Sequence, residues 1–316
     1  MEFPVYQDLG FGITRIDTGL GRPGLAACYL MEHKGRLAVI ETGTGQTVPR
    51  VLTLIGERGY QPADVDYVIV THVHLDHAGG AGGLMAALPR AKLIVHPRGA
   101  RHMADPSKLQ AGTIAVYGEE EFHRQYGELQ PIPDERMVIA EDNFSLALAD
   151  RTLRFIDTPG HAKHHFCVYD ELSRGIFTGD TLGIVYAELC AGHDSFVLPS
   201  TTPVQFDPDA LKLSIDRLLG FEPERFFLTH YGMVAATNSH AEQLKQQIDD
   251  YVKIALRHKN DGSQRQNKIA EALLDYTLQA LRAHGSPLPE TRQRELLATD
   301  MALNSQGLEV WLQKSA

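Results

Sequence analysis

Thr71-His72-Val73-His74-Leu75-Asp76-His77-Ala78-Gly79-Gly80 is the stretch that decides how this chain folds. Three imidazoles and a carboxylate fall within six positions, directly after the apolar run Asp66–Val70. That run predicts a buried strand. His72 and His74 stand two apart, so on an extended backbone both side chains leave the same face and can close on one ion. Asp76 and His77 follow where the chain has to turn, and Gly79 and Gly80 are expected to permit that turn through their conformational freedom. Neutral imidazole and carboxylate are ligands suited to zinc, iron and manganese. A single histidine is usually packed or hydrogen-bonded in a core, but packing gives no reason to gather three of them beside an acid.

Outward from this stretch, the pattern alternates between short strands and helices. Gly12–Asp17 predicts a strand, and Ala27–Glu32 and Leu37–Glu41 predict a hairpin across His33-Lys34-Gly35-Arg36. Helical spacing predicts helices over Val48–Arg58, Leu84–Leu88 and Leu211–Leu219. Further strands are expected at Lys92–His96, Phe144–Leu148, Thr152–Asp157, Phe166–Asp170, Gly175–Thr178 and Arg225–Thr229. Residues 99–133 lack clear periodicity and read as an irregular excursion. Past Ser239, Leu244, Ile248, Tyr251 and Ala255 share one helical stripe, and Ile269, Leu273, Tyr276 and Ala280 another. The expected organisation is therefore a catalytic domain over residues 1–238 and a helical appendage packed on it over 239–316. Strand-rich blocks with interleaved helices imply an α/β sandwich.

Three more motifs stand after predicted strands: Thr158-Pro159-Gly160-His161, Phe177-Thr178-Gly179-Asp180-Thr181 and Leu228-Thr229-His230-Tyr231-Gly232. Each alone is an ordinary turn or cap. In this order behind HxHxDH they resemble the metallo-β-lactamase superfamily over roughly residues 12–232. The resemblance implies a four-layered αβ/βα sandwich with a C-terminal helical extension. It also implies two divalent metal ions, zinc first, with iron or manganese as alternatives. His72, His74 and His161 would bind one ion, Asp76, His77 and His230 the other, and Asp180 would bridge them beside a hydroxide. Asp76, Asp180 and His230 would carry the catalytic roles. The dinuclear, glyoxalase II-like branch matches better than true β-lactamases, whose bridging position is usually a cysteine. None of Cys28, Cys167 and Cys190 stands at a ligand position.

Two departures from the family pattern stand out. Glu41, in Glu41-Thr42-Gly43, replaces the common aspartate, so an adjusted support for the metal loop is expected around a retained site. Ala162-Lys163-His164-His165 replaces Thr-Pro-Gly-His: His165 keeps the second histidine, and His164 is additional, with solvent exposure its ordinary explanation. His165, Tyr186 and Tyr231 are candidate substrate contacts. Glyoxalase II has a basic residue about nine positions beyond the bridging aspartate, and here that position is Leu189, so glutathione recognition does not follow. His193 and His258 match no ligand position and are expected to be dispensable.

The resemblance thus implies a metal-dependent hydrolase that cleaves a small-molecule ester, thioester or lactone. The alternatives on the same fold are a mononuclear-iron persulfide dioxygenase, a phosphodiesterase and a non-catalytic regulatory member. Composition points the same way. The 316 residues are 43% apolar and 22% charged, enough for a substantial core. A net charge of −10 without a Lys/Arg run disfavours a nucleic-acid partner and favours a small molecule. Three scattered cysteines make no disulfide framework. The N-terminus shows no signal-peptide pattern, and no apolar run approaches the roughly 20 residues of a membrane span. The expectation is a cytoplasmic protein with no membrane partner; a homodimer is compatible with the helical tail.

Overall fold

The computed structural model describes residues 4–192, 194–201 and 204–315, so His193 lies outside the described residues. Its first sheet has the order β1 (Tyr6–Asp8), β2 (Ile13–Asp17), β3 (Ala27–His33), β4 (Arg36–Ile40), β5 (Val65–Ile69), β6 (Lys92–Val95) and β7 (Met137–Ile139). Pairing is antiparallel from β1 to β4 and parallel from β4 to β7. The predicted hairpin forms, with Lys34 and Gly35 at its turn in the left-handed region (φ 46° and 77°). The crossovers carry α1 (Val48–Glu57), α2 (Leu75–Ala78) and α3 (Ala81–Ala87). Then come α4 (Pro97–Ala104), α5 (Ser107–Tyr117) and α6 (Glu119–Tyr126). The second sheet contains β8 (Ser145–Leu148), β9 (Arg151–Asp157), β10 (Phe166–Asp170), β11 (Gly175–Ile184), β12 (Arg225–His230) and β13 (Gly232–Ala235), ordered β13-β12-β11-β10-β9-β8. α7 (Pro208–Leu219) precedes β12, and α8 (Asn238–Arg257), α9 (Arg265–His284) and α10 (Glu290–Lys314) follow β13.

The chain forms two compact units. Residues 1–157, 164–179 and 224–233 make the first; residues 158–163, 180–223 and 234–316 make the second. Within the first unit, one core joins the facing sheets through Tyr29, Phe155, Phe166, Phe177 and Phe227. Phe177 stacks on Phe227 at 4.6 Å, and Tyr29 meets Phe177 edge-on at 5.2 Å. Burying each such ring contributes about 1.5–3 kcal/mol by area. A second core packs Val51, Leu54 and Ile55 of α1 and Leu84 and Met85 of α3 on the other face of the first sheet. Arg151, 2% exposed, clamps Asp170 with Nε–Oδ1 2.8 Å and Nη2–Oδ2 2.5 Å, and its Nη1 donates to the Phe11 carbonyl at 2.7 Å. In the second unit, the phenol of Tyr251 on α8 reaches Thr277 of α9 at 3.1 Å.

Residues 99–133 depart from expectation: α4, α5 and α6 occupy most of the segment. Met103 and Ala100 of α4 join the core on the first sheet, whereas the apolar residues of α5 and α6 serve mainly a small local cluster, Leu75, Phe122 and Tyr126 with Leu109, Ile114 and Leu129, so no long stripe marks them. α10 was also unreadable, because Gln293, Asn304, Ser305 and Gly307 are buried among its leucines and blur the period. The Asn304 amide earns that burial by donating to the Pro199 carbonyl and accepting from Thr201 N–H. β11 is longer than expected and contains Asp180 instead of ending before it, because Gly179 and Gly183 bend it at φ 48° and 69°. His258 ends α8 paired with Asp261 at 2.9 Å. No helix among the described residues is long and apolar enough to cross a membrane.

Candidate metal centre

In the first unit, β5 lies between β4 and β6 and delivers the chain into Thr71-His72-Val73-His74, after which α2 starts at Leu75. Gly79 and Gly80 are needed for a reason different from the expected one. Their φ angles, −62° and −84°, suit any residue. A Cβ on Gly79 would lie 2.4 Å from the Leu75 carbonyl oxygen, and one on Gly80 2.6 Å from that of Thr42. Gly79 therefore leaves room for the first carbonyl of α2, and Gly80 lets the chain beyond it close onto Thr42 and Thr44; here Thr42 N–H and Oγ1 both donate to the His77 carbonyl (2.8 and 2.7 Å).

The imidazole orientations follow from their outer partners. His77 Nδ1 lies 2.9 Å from Glu41 Oε1, and a carboxylate only accepts, so Nδ1 carries the proton and Nε2 is the donor atom for a ligand. His230 Nδ1 donates to the Leu25 carbonyl at 2.9 Å with the same consequence. Both Nε2 atoms converge on one oxygen, Asp76 Oδ2, at 3.5 Å from His77 and 3.2 Å from His230. His72 Nε2 faces His74 Nδ1 at 2.9 Å, and its Nδ1 lies 3.1 Å from Thr71 Oγ1. The candidate ligand atoms of Asp76, His77 and His230 all lie within 4.8 Å of one another, and so do those of Glu41, His72 and His77.

Glu41 is the hub of this arrangement. It is 1% exposed and held at φ 62°, a costly conformation for a residue with a Cβ. Its carboxylate accepts from Thr71 N–H (3.2 Å), Thr71 Oγ1, His77 Nδ1 and Thr229 Oγ1 (3.2 Å). Glu41, directly after β4, thus ties the Thr71–His77 loop and β12 into one hydrogen-bond network.

In the second unit, His161 Nδ1 lies 3.3 Å from both the carbonyl and the hydroxyl of Ser200, and its Nε2 lies 3.3 Å from Asp180 Oδ2. The Ser200 hydroxyl donates to that same Asp180 oxygen at 3.2 Å. α7 fixes the turn carrying His161: Ser214 Oγ donates to the Pro159 carbonyl (2.6 Å), and a Cβ on Gly160 would lie 2.3 Å from Leu211 Cα. Ser200 was not foreseen, and no motif around it could have announced it.

The donor chemistry fits divalent ions. In each unit, imidazole nitrogens with their outer positions held by hydrogen bonds face a carboxylate oxygen, the arrangement that fixes tautomers around metals. Among the candidate substrate contacts, His165 is buried with its ring 4.9 Å from that of His72. Tyr186 is buried and donates to Asp300 at 3.1 Å. Tyr231 is buried too: its phenol donates to Asp17 at 3.2 Å and its ring lies 4.3 Å under the Arg15 guanidinium. Burial raises the Tyr231 pKa while Arg15 opposes the rise. His164, expected at the surface, is only 8% exposed.

The family model of the metallo-beta-lactamase superfamily matches residues 21–230. The chain belongs to that superfamily. Its metallo-beta-lactamase core and C-terminal helical region agree with the expected α/β fold class. ST1585 of Sulfurisphaera tokodaii, a metallo-beta-lactamase fold-containing protein, is 27% identical over 230 residues, 72% of this chain and 80% of its own. Its crystal structure superposes with a TM-score of 0.61, covering 76% of this chain and 87% of that one. The human acyl-coenzyme A thioesterase MBLAC2 is 26% identical over 205 residues, 58% of this chain and 67% of its own. A hydroxyacylglutathione hydrolase of Enterobacter sp. (strain 638) is 28% identical over 153 residues, 48% of this chain and 45% of its own. The chain therefore spans less than half the length of that last relative. This superfamily member has hydrolases among its relatives and holds His/Asp/Glu clusters suited to metal.

Proposed function

We propose that the protein is a dinuclear metallohydrolase acting on an ester, thioester or lactone of a small molecule, with a thioester the first choice. The observation that carries this reading is the convergence of His77 and His230 Nε2 on Asp76, each imidazole turned by a hydrogen bond on its far side. In this reading His72, His74 and His161 would hold one ion, Asp76, His77 and His230 the second, with Asp180 shared between them. When bound, the ions would supply Lewis acidity at the scissile carbonyl and bring the pKa of a water from about 15.7 toward neutrality. The chain's own residues orient and conduct. Glu41 and the Leu25 carbonyl hold two imidazoles in their ligating tautomers, and Ser200 steadies both His161 and Asp180. The Asp76 carboxylate, 28% exposed where the neighbouring His77 is fully buried, is the base placed to take a proton from the attacking water and, once protonated, to pass it to the leaving group. The acyl-coenzyme A thioesterase among the relatives supports the choice of a thioester.

Metal analysis joined to a substrate panel tests this function. About two ions per chain with turnover of an acyl thioester, aryl ester or lactone is expected. One iron per chain with substrate-dependent oxygen uptake would instead identify a dioxygenase, and a panel that fails at high protein concentration would identify a non-catalytic member.

A further inference from the structure

His164 occupies none of the proposed ligand positions and stands where the family pattern has a glycine, yet it is built into the first unit against both arms of the HxH pair. Its Nδ1 accepts the backbone N–H of Val73 at 3.5 Å, the residue between His72 and His74. A backbone amide only donates, so the His164 proton resides on Nε2. Its ring stands edge-on to His74 at 5.5 Å and 87°, and lies nearly parallel to His72 at 6.1 Å and 16°. On the other side it meets His102 of α4 at 6.5 Å. α4 comes this close because Gly99 has no side chain: a Cβ there would lie 2.9 Å from Val73 Cγ1 and 3.9 Å from His164 Cβ.

We propose that His164 is a positioning residue that holds the His72-Val73-His74 backbone and the His74 ring in register for a metal ion, and ties α4 to that pair. The inference rests on the metal-centre reading given above. A ligand pair on extended backbone has freedom in both ring torsions, and partners behind the ligands remove that freedom, which typically changes metal affinity 10- to 100-fold. No other residue named above contacts Val73 N–H and both rings together.

The test is chelator-competition titration of the full-length protein with Zn²⁺ and Co²⁺, comparing the unsubstituted chain with His164→Ala and His164→Asn. Thermal melting of the metal-free forms is followed in the same preparations. His164→Ala should bind one of two equivalents about 10- to 100-fold more weakly and leave the other in place. The visible spectrum of the cobalt form should change for that equivalent alone. His164→Asn, whose Oδ1 can accept from Val73 N–H, should recover most of the lost affinity. It also keeps the inference testable if the alanine variant does not fold. Both equivalents within about threefold of the unsubstituted chain in His164→Ala would overturn the inference and leave the metal centre standing. Equal weakening of both equivalents, with a melting loss that asparagine shares, would overturn it as well. No metal uptake by the unsubstituted chain would overturn the centre and the inference together.

Discussion

Glu41→Gln perturbs the site at the point where the structure allows the cost to be worked out. The side chain keeps its length, so its buried volume is unchanged. Oε1 accepts from three groups: His77 Nδ1, Thr71 Oγ1 and Thr229 Oγ1. Oε2 accepts from Thr71 N–H. If the amide oxygen takes the Oε1 position, the NH₂ faces the Thr71 N–H, donor against donor, at 3.2 Å. In the opposite orientation the NH₂ faces the His77 Nδ1–H and two threonine hydroxyls that can turn to accept, so either orientation leaves one N–H without an acceptor. One buried donor left without an acceptor costs about 1–3 kcal/mol, and the bond to His77 loses its ionic component. The metal-free protein should therefore lose about 2–3 kcal/mol in urea unfolding, the retained contacts limiting the damage. Zinc affinity should fall roughly tenfold, because the His77 outer hydrogen bond weakens. Chelator competition and urea titration on the same protein read both quantities. A Glu41→Gln variant that matches the unsubstituted protein in both would show that the carboxylate does not organise the ligand loop.

The remaining expectations concern separate parts of the molecule. Asp180→Ala should reduce bound metal to about one ion or none and abolish turnover, checked by metal analysis on a variant with unchanged circular dichroism; retention of both ions and full activity would remove Asp180 from the centre. Gly179→Ala places a Cβ 2.4 Å from His165 Nε2 and 2.5 Å from Thr71 Oγ1 at φ 48°, so a loss of at least about 1–2 kcal/mol is expected in denaturant unfolding. Arg151→Met strands the fully buried Asp170 charge and should cost about 3–5 kcal/mol in the same assay. Burial, and then the charges of Arg101 and Lys108, hold the His102 imidazole below its ordinary value of 6.5. The folded protein thus binds that proton less readily than the unfolded chain does. The stability carried by neutral His102 is full above pH 6.5 and declines as pH falls through that value toward the lower folded one. An NMR titration assigned with His102→Gln should place the midpoint below 6.5, and one at or above it would contradict the assigned environment.

The elements that were legible had strong local signals. DYVIV follows from an apolar run buried on both faces of its sheet, the His33–Arg36 turn from its Lys-Gly pair, and α1, α8 and α9 from stripes of buried apolar residues at helical spacing. α4 to α6 and α10 were not legible: α4 buries only Gly99 and Met103, α5 and α6 meet mainly a small cluster, and α10 buries polar residues among its leucines, so none leaves a clean period. The short edge strands β1, β7 and β13 are three or four residues long and owe their conformation to the neighbouring strand.

The identities and spacing of the histidines and aspartates are local properties, and they alone pointed to metal chemistry. Which nitrogen of each imidazole faces the ligand side was decided only in three dimensions. It depends on Glu41 meeting His77 across 36 residues and on Leu25 meeting His230 across 205. A hydrogen bond between such distant groups exists only once the sheets have brought them together, and no periodicity along the chain records it. The same holds for Ser200, 39 residues from His161, and for His164, whose burial follows from a glycine on α4 that has no side chain to keep it out.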